Sequence, residues 1–345
     1  MSIVTRQWRA PLRRVALAAL AAVLPARTAL AQARLFRSDD TLSVSLRTDL
    51  RSLLRDRYTA NAPWREATLS YAGPDGEVTV PLRVRTRGLY RLLHCDLPPI
   101  RLRFSDSTSR GTLFHGLRRP KLVSPCRNSG EYEQYVLEEY AIYRVMRLFT
   151  PMSLPARLLR VTYRDSAGRS ATITRYAFVT EDPERFAERI GGTFRHLGIG
   201  IGQLSSWNVA LLGVFEYFIG NTDWSMPGLH NIALLRVKDT TFALPFDFDW
   251  SGVINAPYAH PAPILPTRSV RERIYRGRCQ PAEDLEPVLA RFETLRDTIA
   301  AIYHSIPGLE PRSVEQALRY YDEFYRAIAD HPQFVRRVVE PDCLP

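Results

Sequence analysis

The stretch that decides the reading is Asn221-Thr222-Asp223-Trp224, then His230-Asn231, then Phe246-Asp247-Phe248-Asp249-Trp250-Ser251-Gly252. Between its second and third parts, Asn231–Val237 and Phe242–Phe248 read as two apolar strands joined at Lys238-Asp239-Thr240. A turn centred on Asp239 places Asn231 and Asp247 opposite each other, within one residue of register. An amide oxygen and a carboxylate side by side at the open end of a hairpin are hard ligands suited to Mg²⁺ or Mn²⁺. Asp249 is two residues on and shares a face with Asp247 if the strand stays extended. Asp223, in the loop leading in, can reach the same spot. The spacing predicts a base followed by metal ligands on a rigid ladder.

Working outward, the second half is mainly helical, with helices expected over Ser206–Phe218, Leu285–Tyr303 and Val314–Ile328. Ser313 and Gln316 form a candidate capping box for the last of these. The first half alternates apolar and polar residues at Val78–Val84 and Ile100–Phe104, the period of half-buried strands. Lys121–Val123 is a short strand, a helix is expected from about Glu131 to Leu148, and strands follow at Leu158–Tyr163 and Ala171–Val179. The division is residues 1–33, an export segment; 34–180, an antiparallel sheet with one helix; and 181–345, a helical part carrying the hairpin.

The chain has 345 residues, 45% hydrophobic and 24% charged, enough for one or two ordinary cores. Its formal charge is +11, but Arg6, Arg9, Arg13, Arg14 and Arg27 all fall in the first 33 residues with no acid beside them. The remaining excess is dispersed, so no nucleic-acid partner is indicated. A basic start, an apolar core over Val15–Leu24 and small residues around Ala29–Ala33 make a cleavable signal, with a mature chain starting near Arg34. The protein is expected to be periplasmic or secreted, with no transmembrane segment in the mature chain. In an oxidising compartment Cys95, Cys126, Cys279 and Cys343, which lack metal-site spacing, favour disulfides. Of three connectivities the preferred one is Cys95–Cys126, tying neighbouring strands, with Cys279–Cys343, pinning the C-terminal tail.

Asp, then His-Asn, then an apolar Asp-x-Asp run with Gly resembles the active-site stretch of the spore-coat CotH kinase family, atypical secretory kinases. Upstream, Arg87-Gly88-Leu89-Tyr90-Arg91 and Pro98-Pro99-Ile100-Arg101-Leu102-Arg103-Phe104 are similar to that family's Arg-Gly turn and basic strand. The resemblance covers Val80 to Ser251, about half the chain. It implies an α+β, two-lobed, protein-kinase-like fold. It also implies transfer of a phosphoryl group from Mg-ATP to a hydroxyl on an envelope or secreted protein or glycan. By that resemblance Asp223 handles the acceptor hydroxyl, and Asp247 holds the metal with Asn231, Asp249 standing in for Asp247.

A kinase site also needs a lysine on the phosphates, steadied by a glutamate. Only two of the 47 basic residues are lysines, Lys121 and Lys238. Lysine is a compact point charge that arginine's planar fork does not imitate. Lys121 opens the strand before the Glu131–Leu148 helix, where Glu138 and Glu139 are the partner candidates and Glu139, sharing a face with Val136 and Tyr143, is the favoured one; Lys238 sits in the hairpin turn. Two other patterns carry less. Gly198-Ile199-Gly200-Ile201-Gly202 lacks the following Lys-Ser/Thr of a phosphate loop, and the seven histidines show no paired metal spacing. There is no Gly-x-Ser-x-Gly elbow. The alternative class is a non-catalytic binding module of the cell envelope.

Overall fold

Seven strands close on themselves into a barrel. The computed structural model describes residues 33–344 apart from 60, 89 and 197–203. The export signal and the Gly198–Gly202 loop therefore lie outside the described residues, Ala33 excepted. The barrel strands are β1 (Leu42–Thr48), β2 (Arg65–Gly73), β3 (Gly76–Thr86), β4 (Ile100–Arg103), β5 (Lys121–Val123), β6 (Ala156–Asp165) and β7 (Ile173–Thr180). Their order around the barrel is β1-β2-β3-β4-β5-β7-β6. All neighbours are antiparallel except β1 and β6, which run parallel from Leu42↔Leu159 to Thr48↔Asp165.

The alternation that marks the strands also fills the barrel. Inward residues such as Leu46, Leu69, Val80, Val84, Leu102 and Val161 are almost fully buried, while Arg83 and Arg103 face out. Short helices α1 (Leu50–Arg55), α2 (Tyr90–His94) and α3 (Asp106–Ser109) decorate the barrel. The long helix α4 (Gly130–Phe149) starts where the Ser129 side chain accepts from the Tyr132 N–H, and it packs on β6 and β7. The remaining elements are α5 (Pro183–Arg189), β8 (Thr193–Arg195), α6 (Ser206–Ile219), β9 (Ile232–Val237), β10 (Thr240–Pro245), α7 (Ala282–Ser305) and α8 (Pro311–Ile328). Strands β10, β9 and β8 form a small antiparallel sheet, with α6 against β10.

This overturns the expected two-lobed, kinase-like fold. The sheet is mixed and closed rather than an open antiparallel lobe, and Ala31–Pro345 forms one compact unit. The element responsible is β1, which the sequence reading left out together with β2. Closure depends on which strand pairs with which across long sequence separations, and alternation within a strand carries no such information.

Two local expectations are also corrected. Helix α8 begins at Pro311 with Glu310 as N-cap and no side-chain cap, so Ser313 lies inside it and makes no capping box. Both preferred disulfides are present, Cys95–Cys126 and Cys279–Cys343. The first joins the segment after α2 to the loop after β5, where the N–H groups of Asp96 and Leu97 donate to the Cys126 carbonyl, rather than tying two strands. The second anchors the tail, where the Cys279 N–H donates to the Leu344 carbonyl. No helix among the described residues is long and apolar enough to cross a membrane.

Candidate functional site

Helix α6 is apolar nearly all round, so it is buried, and it ends on Gly220 in the left-handed conformation at φ 67°. The chain then turns through Asn221, whose side-chain oxygen accepts the Asp223 N–H at 2.9 Å. Ser225 and His230 exchange both backbone hydrogen bonds, returning the chain so that His230 and Asn231 stand over Asp223. The His230 Nε2 lies 3.0 Å from one Asp223 carboxylate oxygen, and the Asn231 amide is 3.1 Å from the other. Asn231 also donates to the Asp223 carbonyl at 2.7 Å. Its amide nitrogen is thus bound to the candidate base, a different placement from the metal-ligand role read from sequence.

The hairpin register falls at the edge of the expected one-residue margin. Lys238 and Asp239 alone form its turn, Val237 pairs with Thr240, and the Phe246 N–H donates to the Asn231 carbonyl at 3.0 Å. Asn231 therefore stands opposite Phe246, not Asp247. Asp247 lies past the end of β10 in a left-handed conformation at φ 66°, with its N–H donated to the Tyr143 hydroxyl at 3.0 Å. Asp247 and Asp249 do not share the face of an extended strand. The kink nevertheless brings them together, because Asp247, Asp249 and Glu139 of α4 each place a carboxylate oxygen within 4.8 Å of the others.

The three differ in exposure. Glu139 is 1% and Asp249 6% exposed, whereas the Asp247 side chain is 31% exposed and forms the mouth. Arg91 pairs with Asp249 at 3.4 Å and also donates to the Ser124 carbonyl; Arg87 pairs with Asp247 at 3.5 Å. Neither Glu139 oxygen is in a hydrogen bond of good geometry, the backbone N–H of Phe248 being the one donor that pulls on it. Burial, then the charges of Asp249 and Asp247, push the Glu139 carboxyl well above its usual range. Burial and the Asp247 charge push Asp249 up to about 6, against the pull of Arg91 and Tyr258. Burial also opposes ionisation of Asp247, but Arg87, Lys121 and Arg91 outweigh it and hold its carboxyl below the usual range. Asp223 is raised by burial, with Asp247 adding and His230 opposing.

Lys121 is 9% exposed, with Nζ 4.0 Å from the Phe246 ring centroid. Burial, and next the charge of Arg87, bring its pKa down to about 7, while Asp247 pulls it up. It forms no ion pair with Glu139 among the described residues, and the expected lysine–glutamate pair is replaced by a lysine near Asp247 and a glutamate among the acids. Lys238 is exposed in its turn.

A buried acid with neither oxygen in a well-formed hydrogen bond, beside two further carboxylates, is costly unless protonated or bound to a cation. The all-oxygen donor set suits Mg²⁺ or Mn²⁺, with Glu139, Asp247 and Asp249 as the holding residues. Four contributors were missed as site residues: Arg87, Arg91, His230 and Tyr143. Arg87 and Arg91 stood in the Arg-Gly turn, His230 next to Asn231, and Tyr143 one helical turn from Glu139, so each had a sequence signal of position but none of role. Compared with family models and with curated proteins, the chain matches none.

Proposed function

We propose that the chain is an exported phosphotransferase of the CotH-like kind, moving a phosphoryl group from metal-bound ATP to a hydroxyl of an envelope or secreted protein or glycan. The observation that carries this reading is the convergence of the carboxylates of Glu139, Asp247 and Asp249 beside Arg87 and Lys121. Carboxylates alone would repel a polyphosphate. Carboxylates that hold a cation, set next to Lys121 and Arg87, bind one. Bound Mg²⁺ or Mn²⁺ supplies charge neutralisation on the phosphate oxygens. Lys121 and Arg87 meet the oxygens that remain, where the burial of the cluster strengthens each contact.

In this reading Asp223 is the base. Its neighbours His230 and Asn231 fix both oxygens, and its raised pKa suits it to accept a proton. The acceptor oxygen forms a bond to the γ-phosphorus, the bond to the leaving diphosphate oxygen breaks, and the hydroxyl proton passes to Asp223. A second reading, a non-catalytic binding module of the envelope, draws on the ion pairs of Arg87 with Asp247 and Arg91 with Asp249, which reduce the net charge offered to a metal.

The test is thermal shift with Mg²⁺ or Mn²⁺ and ATP, followed by transfer of labelled phosphate. Asp247→Ala is expected to abolish metal-dependent nucleotide binding. Asp223→Asn keeps binding while transfer falls by roughly 10²–10⁴-fold, the usual scale for a positioned base. Metal-dependent ATP binding without transfer would leave the binding module. Parental binding and transfer in both variants would remove the phosphotransferase reading.

A further inference from the structure

The outer face of β3 and β4 carries arginines that neither the barrel nor the acidic cluster requires. Arg83 and Arg85 point outward from β3, and Arg87 follows past its end. Across the ladder Arg103 stands opposite Arg83, and Arg101 opposite Arg85. Like charges directly opposite each other destabilise a sheet, so such a row has to be balanced or used. Part of it is balanced: Arg83 pairs with Glu66 and Arg101 with Asp182, while Arg118 and Arg119 at the far rim pair with Glu188 and Glu184. Arg85 and Arg103 pair with no carboxylate among the described residues. Their guanidinium carbons lie 4.7 and 5.5 Å from the Trp64 ring centroid. Trp64, Arg85 and Arg103, with Arg118 and Arg119 and a single acid, Asp106, line an open groove of about 560 Å³. Burial, and then the charge of Arg87, lower the pKa of Arg101, as crowding of cations requires. Past the end of β3, Arg87 pairs with Asp247 at 3.5 Å, so the arginine row ends at the acidic cluster.

We propose that this arginine face binds an extended, acidic stretch of polypeptide with carboxylates at alternate positions and leads its hydroxyl residue to Asp223. Arg85 and Arg103 stand diagonally on neighbouring strands, where such positions lie about 7–8 Å apart, close to the roughly 6.6–6.8 Å between alternate side chains of an extended peptide. Arginine's fork matches carboxylates bidentately. Trp64 already carries two guanidinium groups, so it holds the arginines in place and is not free to stack a base, which sets a nucleic acid aside. The proposal names the acceptor class for the phosphoryl-transfer reading and rests on it for purpose, but its test reads binding alone.

Fluorescence anisotropy of the exported chain would compare two labelled peptides of identical composition. One has glutamates at alternate positions around a single serine; the other has them contiguous at one end. A single-stranded oligonucleotide is the third probe. The alternating peptide is expected to bind best and to weaken as salt rises. Arg85→Gln with Arg103→Gln is expected to weaken it roughly tenfold or more. Arg336→Gln with Arg337→Gln, an equal charge change on another exposed surface, is expected to leave it unchanged. Arg103→Gln alone, at an exposed site, serves if the double variant fails to fold. Equal binding of the two peptides, parental binding by the groove variants, or tighter binding of the oligonucleotide overturns the proposal. Alternating-peptide binding by a chain that takes up no Mg-ATP would keep the groove and remove the phosphotransferase reading. Mg-ATP uptake and transfer without peptide binding would do the reverse.

Discussion

Glu216 lies near the end of α6, 1% exposed, with neither carboxylate oxygen in a hydrogen bond of good geometry. Burial pushes its pKa from 4.5 up to about 8, with the nearby Asn221 amide pulling back and Asp223 adding. A folded chain therefore keeps a proton that the unfolded chain releases between those two values, so stability falls as pH rises through that window and the full cost is reached above about 8. Glu216→Gln imitates the protonated acid. It is expected to match the parent near pH 5 and to exceed it by a few kcal/mol near pH 9, read from urea melts at both. A gap that does not change with pH would show that Glu216 is already ionised in the fold. Glu216 went unread because an acid inside an apolar run gives no sign of what surrounds it. The same limit explains Glu139. Its place on the packing face of α4 was legible beside Val136 and Tyr143, but its partners were not, since they come from a chain segment far along the sequence.

The hairpin illustrates the next scale. Its existence and its polar flanks were legible from the apolar runs, but its register only to within one residue. Lys238 adopts φ 54°, allowing a two-residue turn, and a lysine does not advertise a left-handed conformation as Asn or Gly would. That single residue moves Asp247 off the ladder and into the kink where it meets Glu139. The C-terminus of α6 has a comparable pivot in Gly220. A Cβ there would lie 1.9 Å from the Tyr320 hydroxyl, whereas at Gly168, also left-handed, it would meet nothing within 4 Å. Gly168→Ala is expected to cost about 1 kcal/mol, the backbone strain alone. Gly220→Ala is expected to cost about 3 kcal/mol or more, because the tyrosine must move as well. It should also weaken phosphate transfer, since Asn221 and Asp223 follow directly. Equal losses in thermal and chemical melts would mean that Tyr320 yields freely.

For the whole molecule, the disulfides constrain different things. Cys279–Cys343 closes a loop of 64 residues that contains α7 and α8, and Cys95–Cys126 closes one of 31 beside Arg91. Replacing both cysteines of either pair by serine is expected to cost about 2–4 kcal/mol. Only the loss of Cys95–Cys126 is expected to weaken Mg-ATP binding as well, because it frees the segment after α2 from the loop holding the Ser124 carbonyl to Arg91. Loss of binding on removing Cys279–Cys343 alone, measured by calorimetry on folded protein, would contradict this. The preference for these two pairings came from residue type and position, and so did the choice of Asp223, Asp247 and Asp249. Such features rest on local chemistry: a residue's charge, its ligand hardness, the period of its neighbours. The closure of the barrel, the parallel pairing of β1 with β6, the meeting of Glu139 with the two aspartates and the arginine face leading to them were decided only in three dimensions. Each depends on which surfaces bury one another across long stretches of chain, and that choice is made by the packing of the whole core rather than by any segment within it.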